Sequence, residues 1–338
     1  MMTKRWIIYL GIIIGVGLRV YLSIRYYGSY DQQSFEIVAQ IVKQGGNVYA
    51  ETNRYNYSPI WSLILALLSY IQIPLHVTVR LFLTLVDYAI ALAIYKITCK
   101  PIYLLIFLLN PVSILLTGFH GQFDNFAALF LLLAFINRKR TGLMWLLGTI
   151  SILIKQITIF GWLTLLFTTQ PNKKRAIFLS GASALVYLFS FIPYLPKGKD
   201  GIINNVFLYP SSVHQYGLNG LITMPIFLVL MIVFVFLIRT SKLDPLRAIL
   251  LSCLIFLVFA PGMAEQYFIL PIIFASALPD WGYLIFTIIT TIFLTGSPNN
   301  IQIQPISIWM TVWIAALVWL FLFIRPIHFF YVKWLLKS

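Results

Sequence analysis

Only nine of the 338 residues are acidic, against 24 Lys and Arg, so each carboxylate can be weighed singly. Asp31, Asp124 and Glu265 fall at the ends of three separate apolar runs; Lys155 interrupts a fourth, and Arg80 opens a fifth. A carboxylate in such a position can accept a proton or orient a nucleophile. A lysine and an arginine beside it can bind an anionic leaving group, most naturally a phosphate. The alternative is a set of local ion pairs and snorkelling side chains with no chemistry of their own. Tyr30, Phe35, Tyr49, Tyr55, Tyr57, Trp61, Tyr216 and Tyr267 are expected around the same rim. Carbohydrate and lipid-head sites use such aromatics, but so do interfacial aromatic belts.

The elements that carry these groups are set by composition. The chain is 60% hydrophobic and 10% charged, with mean hydropathy +0.91. A soluble domain of this size cannot hide that much apolar surface. Apolar runs of near-spanning length recur from end to end, so the expectation is an all-α polytopic membrane protein. The alternating strands of an outer-membrane barrel are absent. The net charge of +15 sits in short loops, as the positive-inside rule predicts, and implies no nucleic-acid partner. Cys99 and Cys253 suggest neither a disulfide nor a metal site. The opening "MMTKRWIIYLGIIIGVGLRVYL" lacks a convincing small-residue cleavage site and reads as a retained first span.

Basic residues orient the spans. Lys4 and Arg5 place the N-terminus in the cytoplasm, and 6–25 crosses outward to a polar loop over 26–58. Within that loop, Phe35, Ile37, Val38, Ile41 and Val42 mark a helix over 34–44, ended by Gly45-Gly46. Residues 59–73 are expected in the outer interface and 77–97 to cross inward. Residues 101–118 go out, "HGQFDN" is outside, and 123–137 returns to Arg138-Lys139-Arg140. The run 142–169 has basic clusters at both flanks, so it must turn back at Lys155-Gln156. Spans at 176–195, 221–238, 246–262, 267–279, 282–296 and 306–324 follow, with an outer loop at 196–220. The sum is about twelve crossings with both termini cytoplasmic.

The other acids divide by this threading. Asp244 and Asp280 fall in cytoplasmic loops, while Glu36, Glu51 and Asp200 read as solvated outer surface. Asp87 lies inside a span with no evident charge partner, where a structural bond and a functional role are both open.

Several motifs resemble those of the GT-C superfamily of membrane glycosyltransferases, which use polyprenyl- or dolichyl-phosphate sugars. In the first loop, "SYD…F" (29–35), "GGNVY" (45–49) and "YNYSP" (55–59) resemble the first mannosyltransferase of glycosylphosphatidylinositol-anchor synthesis, with Ser29 where that family has its first Asp. "NPVSILLTGFHGQFDNF" (110–126) and "LIKQITIFGW" (153–162) resemble the glucosyltransferases of dolichol-linked oligosaccharide synthesis. "FAPGMAEQYFILP" (259–271) resembles a segment that approaches the donor phosphate in these families, with the His-Glu pair replaced by Ala264-Glu265.

The resemblance implies a single membrane domain over 1–338, with a GT-C-like module over 1–175, its first outer loop at 26–76 carrying juxtamembrane helices, and a variable module over 176–338. It implies inverting transfer of a hexose, mannose before glucose, from a polyprenyl-phosphate sugar to a lipid-linked or glycan acceptor on the extracytoplasmic side. Asp31 is the expected base. Lys155, with Arg80 or His120, is expected to hold the donor phosphate. Tyr57, Gln122, Asp124, Asn125, Gln156, Glu265, Gln266 and Tyr267 are expected to shape the sugar and acceptor pockets, and the 196–220 loop, with His214, Gln215 and Tyr216, either closes over the site or is an inert connector. A bacterial-type plasma membrane is expected in preference to endoplasmic reticulum. No cofactor is required; a divalent ion between Asp31 and Asp124 is the minor alternative, since the scattered histidines lack ligand spacing. The rival classes are a transporter or flippase, which would favour symmetric halves and mid-membrane polar groups, and a non-catalytic scaffold.

Overall fold

The computed structural model describes residues 2–208, 222–241, 243–262, 264–295 and 306–335. Every regular element among them is a helix. The first half runs α1 (Met2–Arg25), α2 (Asp31–Lys43), α3 (Val48–Glu51), α4 (Pro59–Leu68), α5 (Leu75–Thr98), α6 (Pro101–Leu108), α7 (Pro111–Ile114), which continues as a π-helical stretch over Leu115–His120, and α8 (Asp124–Ile136). The second half runs α9 (Thr141–Ile154), α10 (Ile159–Thr169), α11 (Lys173–Phe189), α12 (Leu195–Gly201), α13 (Met224–Thr240), α14 (Pro245–Phe259), α15 (Ile269–Ala275), α16 (Trp281–Thr295) and α17 (Ile306–Leu335).

Among the described residues, Trp6–Arg25, α5 and the run Lys173–Phe207 are long and apolar enough to cross a bilayer. A fourth span is counted if Pro101–Leu108 and Pro111–His120, bent by 52°, are one. Pro111 explains the bend: it has no N–H to continue the ladder of α6. Asn110 fills the gap, accepting hydrogen bonds from the Val112 and Ser113 N–H groups while its amide donates to Tyr283 Oη at 2.8 Å. The shorter apolar helices, with α17 counted only over Trp309–Ile324, have 10–17 residues, short of the roughly 20 that a perpendicular crossing needs.

The peripheral and central helices differ in burial. α1 leaves Trp6, Leu10 and Ile13 exposed, and α11 leaves Phe178 exposed, whereas α14 is buried along nearly its whole length. A second apolar core forms in the first loop, where Phe35, Val38, Tyr49, Tyr55, Trp61 and Leu65 pack against Val79, Phe123 and Ile154. Four of the aromatics expected at an open rim, Phe35, Tyr49, Tyr55 and Trp61, therefore build the scaffold beneath it. Tyr216 lies outside the described residues.

The expected outer loop at 196–220 is helical in its first part. α12 and a π-helical turn over Ile202–Phe207 prolong α11 and lie against α3. Asn47 Nδ2 donates to the Tyr194 carbonyl at 2.9 Å. A Cβ on Gly201 would sit 1.8 Å from the Tyr49 carbonyl oxygen, so the approach depends on glycine. His214, Gln215 and Tyr216 fall outside the described residues.

Asp87 does have a charge partner. Arg19, fully buried in α1, donates from Nε to Asp87 Oδ2 at 2.7 Å. The same carboxylate accepts from Ser113 Oγ at 3.0 Å, Thr117 Oγ1 at 2.8 Å and, through Oδ1, Asn125 Nδ2 at 2.7 Å. The remaining Arg19 donors go to the Gly15 and Leu108 carbonyls and to Ser113 Oγ. One polar cluster thus fastens α1, α5, α7 and α8 together in an apolar interior, where an unpaired charge would be very costly.

Candidate functional site

Asp31 opens α2, where the unsatisfied N–H groups of the first turn favour a negative charge. The chain reaches it through Gly28 at φ 100°, a conformation that suits glycine. The start of α2 is clamped to the turn after the π-helical stretch. Ser29 Oγ donates to the His120 carbonyl at 2.8 Å, and Gln32 Nε2 donates to the same carbonyl at 3.1 Å. Gly121 takes φ 68°, and a Cβ there would meet Gln32 Nε2 at 2.3 Å. This turn delivers Gln122, whose Nε2 donates to Asp31 Oδ2 at 2.7 Å. The second Asp31 oxygen has no hydrogen-bond partner among the described residues. One oxygen is held, and the other is available to an incoming donor.

Lys155 and Asp124 form the second unit. The expected helix break is present: α9 ends at Ile154, Lys155 is extended at φ −148°, and a single 3-10 turn leads into α10. Lys155 Nζ donates to Asp124 Oδ2 at 2.9 Å, with both side chains buried. The ammonium also lies 4.5 Å from the Tyr57 ring centroid and 4.3 Å from that of Phe123. Phe123 is stacked on Trp61 at 4.1 Å and 9°. The "YNYSP" segment explains why Tyr57 arrives here. Tyr55 donates its hydroxyl to the Ser58 carbonyl, and Ser58 donates its own to the Leu153 carbonyl, tying the loop to the last turn of α9. Asp124 Oδ1 has no partner among the described residues. Glu265, on the 3-10 turn before α15, lies near enough to Asp31, Asp124 and Lys155 to feel all three charges.

The structure therefore brings Asp31, Gln122, Asp124, Lys155, Tyr57 and Glu265 to one end of the bundle. It places two expected site residues elsewhere. Arg80 is fully buried and all its donors are committed: Nε to the His76 carbonyl, Nη1 to those of Gly118 and Phe119, and Nη2 to those of Ser23 and Tyr26. It closes the junction of α1, α5 and the π-helical stretch, with no hydrogen left for a phosphate. Asn125 turns into the Asp87 cluster, its amide donating at 2.7 Å. His120 is buried with neither ring nitrogen hydrogen-bonded among the described residues. Gln266 is half-buried and makes no contact that assigns it a task.

Beside the charged end, between α10, α11, α13 and α14, lies an apolar groove of about 380 Å³. Gln156 and Tyr267 line it together with the apolar Phe160, Leu163, Phe227 and Phe256. Gln156 Nε2 donates to the Asn56 carbonyl at 3.0 Å, so the residue next to Lys155 also borders the groove.

Sequence reasoning missed one aromatic at the site and two charge contacts away from it. Phe123, between Gln122 and Asp124, is the aromatic floor under the ammonium. Arg19 was signalled by being the one charge within the interior of the first span. Glu36, read as solvated surface, accepts from Tyr27 Oη at 2.9 Å and lies 3.4 Å from His76 Nδ1. Burial, then the Glu36 carboxylate, push the Tyr27 phenol up to about 12, so it stays a donor at any ordinary pH. Among the described residues, no group of three or more His, Cys, Asp or Glu is placed to hold a metal ion. No protein-family model matches the chain, and no curated protein matches it.

Proposed function

We propose that the chain is a multi-pass membrane glycosyltransferase of the GT-C kind, transferring a hexose from a polyprenyl-phosphate sugar to a lipid-linked or glycan acceptor. The observation that carries this reading is the Asp31 carboxylate. One of its oxygens is fixed by Gln122 and the other is open, near a buried Lys155–Asp124 pair whose chain neighbour Gln156 lines an apolar groove.

In this reading the free Asp31 oxygen accepts the acceptor hydroxyl and takes its proton as the oxygen attacks the anomeric carbon. The bond from that carbon to the phosphate oxygen breaks, and the phosphate leaves as an anion. A second acid is not needed, because a phosphate leaves without protonation. Lys155 spends one N–H on Asp124. The other two, which lie against the Tyr57 and Phe123 rings in the free protein, turn to the departing phosphate and receive it with the unbonded His120 ring. Tyr57, Glu265, Gln266 and Asp124 border the sugar. The groove takes the polyprenyl chain, whose isoprene units match its apolar walls.

The fuller threading belongs to the same proposal. About twelve crossings, with both termini cytoplasmic and the site on the extracytoplasmic side of a bacterial-type plasma membrane, agree with the basic loops at the opposite end. The short helices α8, α9 and α10 then run between the basic loops and the polar site instead of spanning a full bilayer individually.

The test uses purified protein in detergent with radiolabelled polyprenyl-phosphate mannose or glucose and a lipid extract of the host. Wild type should move label from one donor to a new product, and Asp31→Asn should not. Consumption of neither donor by folded wild type would sink the reading. Equal consumption by both proteins would keep the reaction and remove Asp31 as its base.

A further inference from the structure

At the end of the bundle opposite Asp31 lies an open polar pocket of about 470 Å³. α8 separates the two, its 13 residues spanning about 20 Å at 1.5 Å per residue. Arg138, Lys139 and Arg175 line the pocket together with Thr141, Thr168, Thr169, Gln170, Pro171 and Pro245, and no acidic residue is among them. The nearest carboxylate in sequence, Asp244, is occupied in capping α14, accepting from the Leu246 N–H at 2.9 Å.

Two features of the lining ask for an anion independently of the net charge. Gln170 is only 5% exposed, yet its side-chain amide has no hydrogen-bond partner among the described residues. Gln170 lines the pocket, so a ligand there is offered an amide donor that no other described residue uses. The start of α9 also faces the pocket through Thr141, and its cap position is Arg140, which makes no side-chain capping bond. The first N–H groups of a 14-residue helix are thus left open among cations, at the end where the helix dipole favours negative charge. Arg239 adds a further positive charge behind the wall, donating to the Phe167, Gln170 and Pro171 carbonyls and holding Gln170 in place.

We propose that this pocket binds a phosphate ester, the headgroup of an anionic membrane lipid. The lipid source is argued from what adjoins the pocket. Within about a turn and a half along α9 and α11 from Thr141 and Arg175, Leu143, Leu146, Ile177 and Phe178 are exposed, Phe178 by 72%. A phosphate seated between Arg138, Arg175 and the α9 terminus would carry its acyl chains directly onto that apolar surface. The guanidinium groups suit phosphate because each offers parallel donors, and Arg138 spends one on the Phe135 carbonyl. This inference does not rest on the transferase reading.

Full-length protein in detergent is titrated with fluorescently labelled phosphatidylglycerol and with the matching phosphatidylcholine, each with and without inorganic phosphate as competitor. Phosphatidylglycerol should bind and phosphatidylcholine should not. The Arg138→Gln/Arg175→Gln protein should bind about tenfold more weakly or worse, the order expected for losing charge-assisted hydrogen bonds. Lys96→Gln/Lys100→Gln removes as much charge outside the pocket and should leave binding unchanged. Gln170→Leu weakens binding without altering charge, and because that amide bonds nothing else among the described residues the change breaks no internal hydrogen bond. Displacement by inorganic phosphate supports the site and extends it to the free anion. Resistance to displacement supports it as specific to the lipid-borne group. Equal binding of the two lipids, or an equal loss in the Lys96/Lys100 protein, overturns it.

Discussion

Asp31 and Gln122 stand 91 residues apart in the chain and share a 2.7 Å hydrogen bond. The amide is itself fixed, since Gln122 follows a left-handed glycine and its backbone N–H is bonded to the Leu116 carbonyl at 2.9 Å. The carboxylate is thereby aimed by the π-helical stretch of another helix, and not by its own helix alone.

If the proposed transfer is the activity, Gln122→Ala should lower kcat while leaving the fold intact. A hydrogen bond to a charged group is worth about 1.5–3 kcal/mol, so the loss should be roughly tenfold to a hundredfold. Asp31→Asn should cost more, about 10²–10⁴-fold, as removal of a general base does. Steady-state kinetics of both variants decide the matter: a Gln122→Ala enzyme with unchanged kcat would mean that the amide does not position the base.

Lys155 and Asp124 are buried together, and neither can be removed alone without stranding the other. Lys155→Met should destabilise the protein by roughly 3–5 kcal/mol, the range for a broken buried pair. Lys155→Met/Asp124→Leu should recover much of that stability, yet transfer no sugar. Thermal unfolding in detergent alongside the label-transfer assay separates the two roles. A stable, active double variant would reduce the pair to a structural tie.

Arg19 and Asp87 make a contrasting pair, distant from any open surface. Asp87→Ala leaves Arg19 charged in the apolar interior and should unfold the protein or cost roughly 3–5 kcal/mol. Protease resistance and melting temperature report this directly. A folded Asp87→Ala protein with reduced turnover alone would contradict a purely structural role.

The apolar groove makes a prediction that depends on donor length. Ala184 lines it from α11. Ala184→Trp should raise KM for a long-chain polyprenyl-phosphate sugar and leave a short, water-soluble analogue nearly unaffected. The same change in KM for both donors would mean that the lipid lies elsewhere.

Much of the local structure was legible in the sequence. The first span, the helix ended by Gly45, the break at Lys155 and the polar cluster at one end follow from apolar run length, glycine and scarce charge, which act over a few residues. The continuation of α11 through Phe207 was not, because "PYLPKGKDGIINN" reads locally as a loop and becomes helical against α3. The partners of the charged groups were not legible either. Arg80 and Lys155 look alike in sequence, as basic residues at span ends. Only the packing of α1, α5 and the π-helical stretch surrounds Arg80 with five carbonyls, while the packing of α8 and α9 gives Lys155 a carboxylate and two aromatic rings. Asn125 shares the 110–126 motif with Gln122 and Asp124, but its place on α8 turns it towards Asp87. Sequence by itself determined which residues are polar and which apolar runs they interrupt or end. Which of them face one another was decided by the rotation and pairing of helices brought together from 68 and 91 residues apart, as in Arg19–Asp87 and Asp31–Gln122.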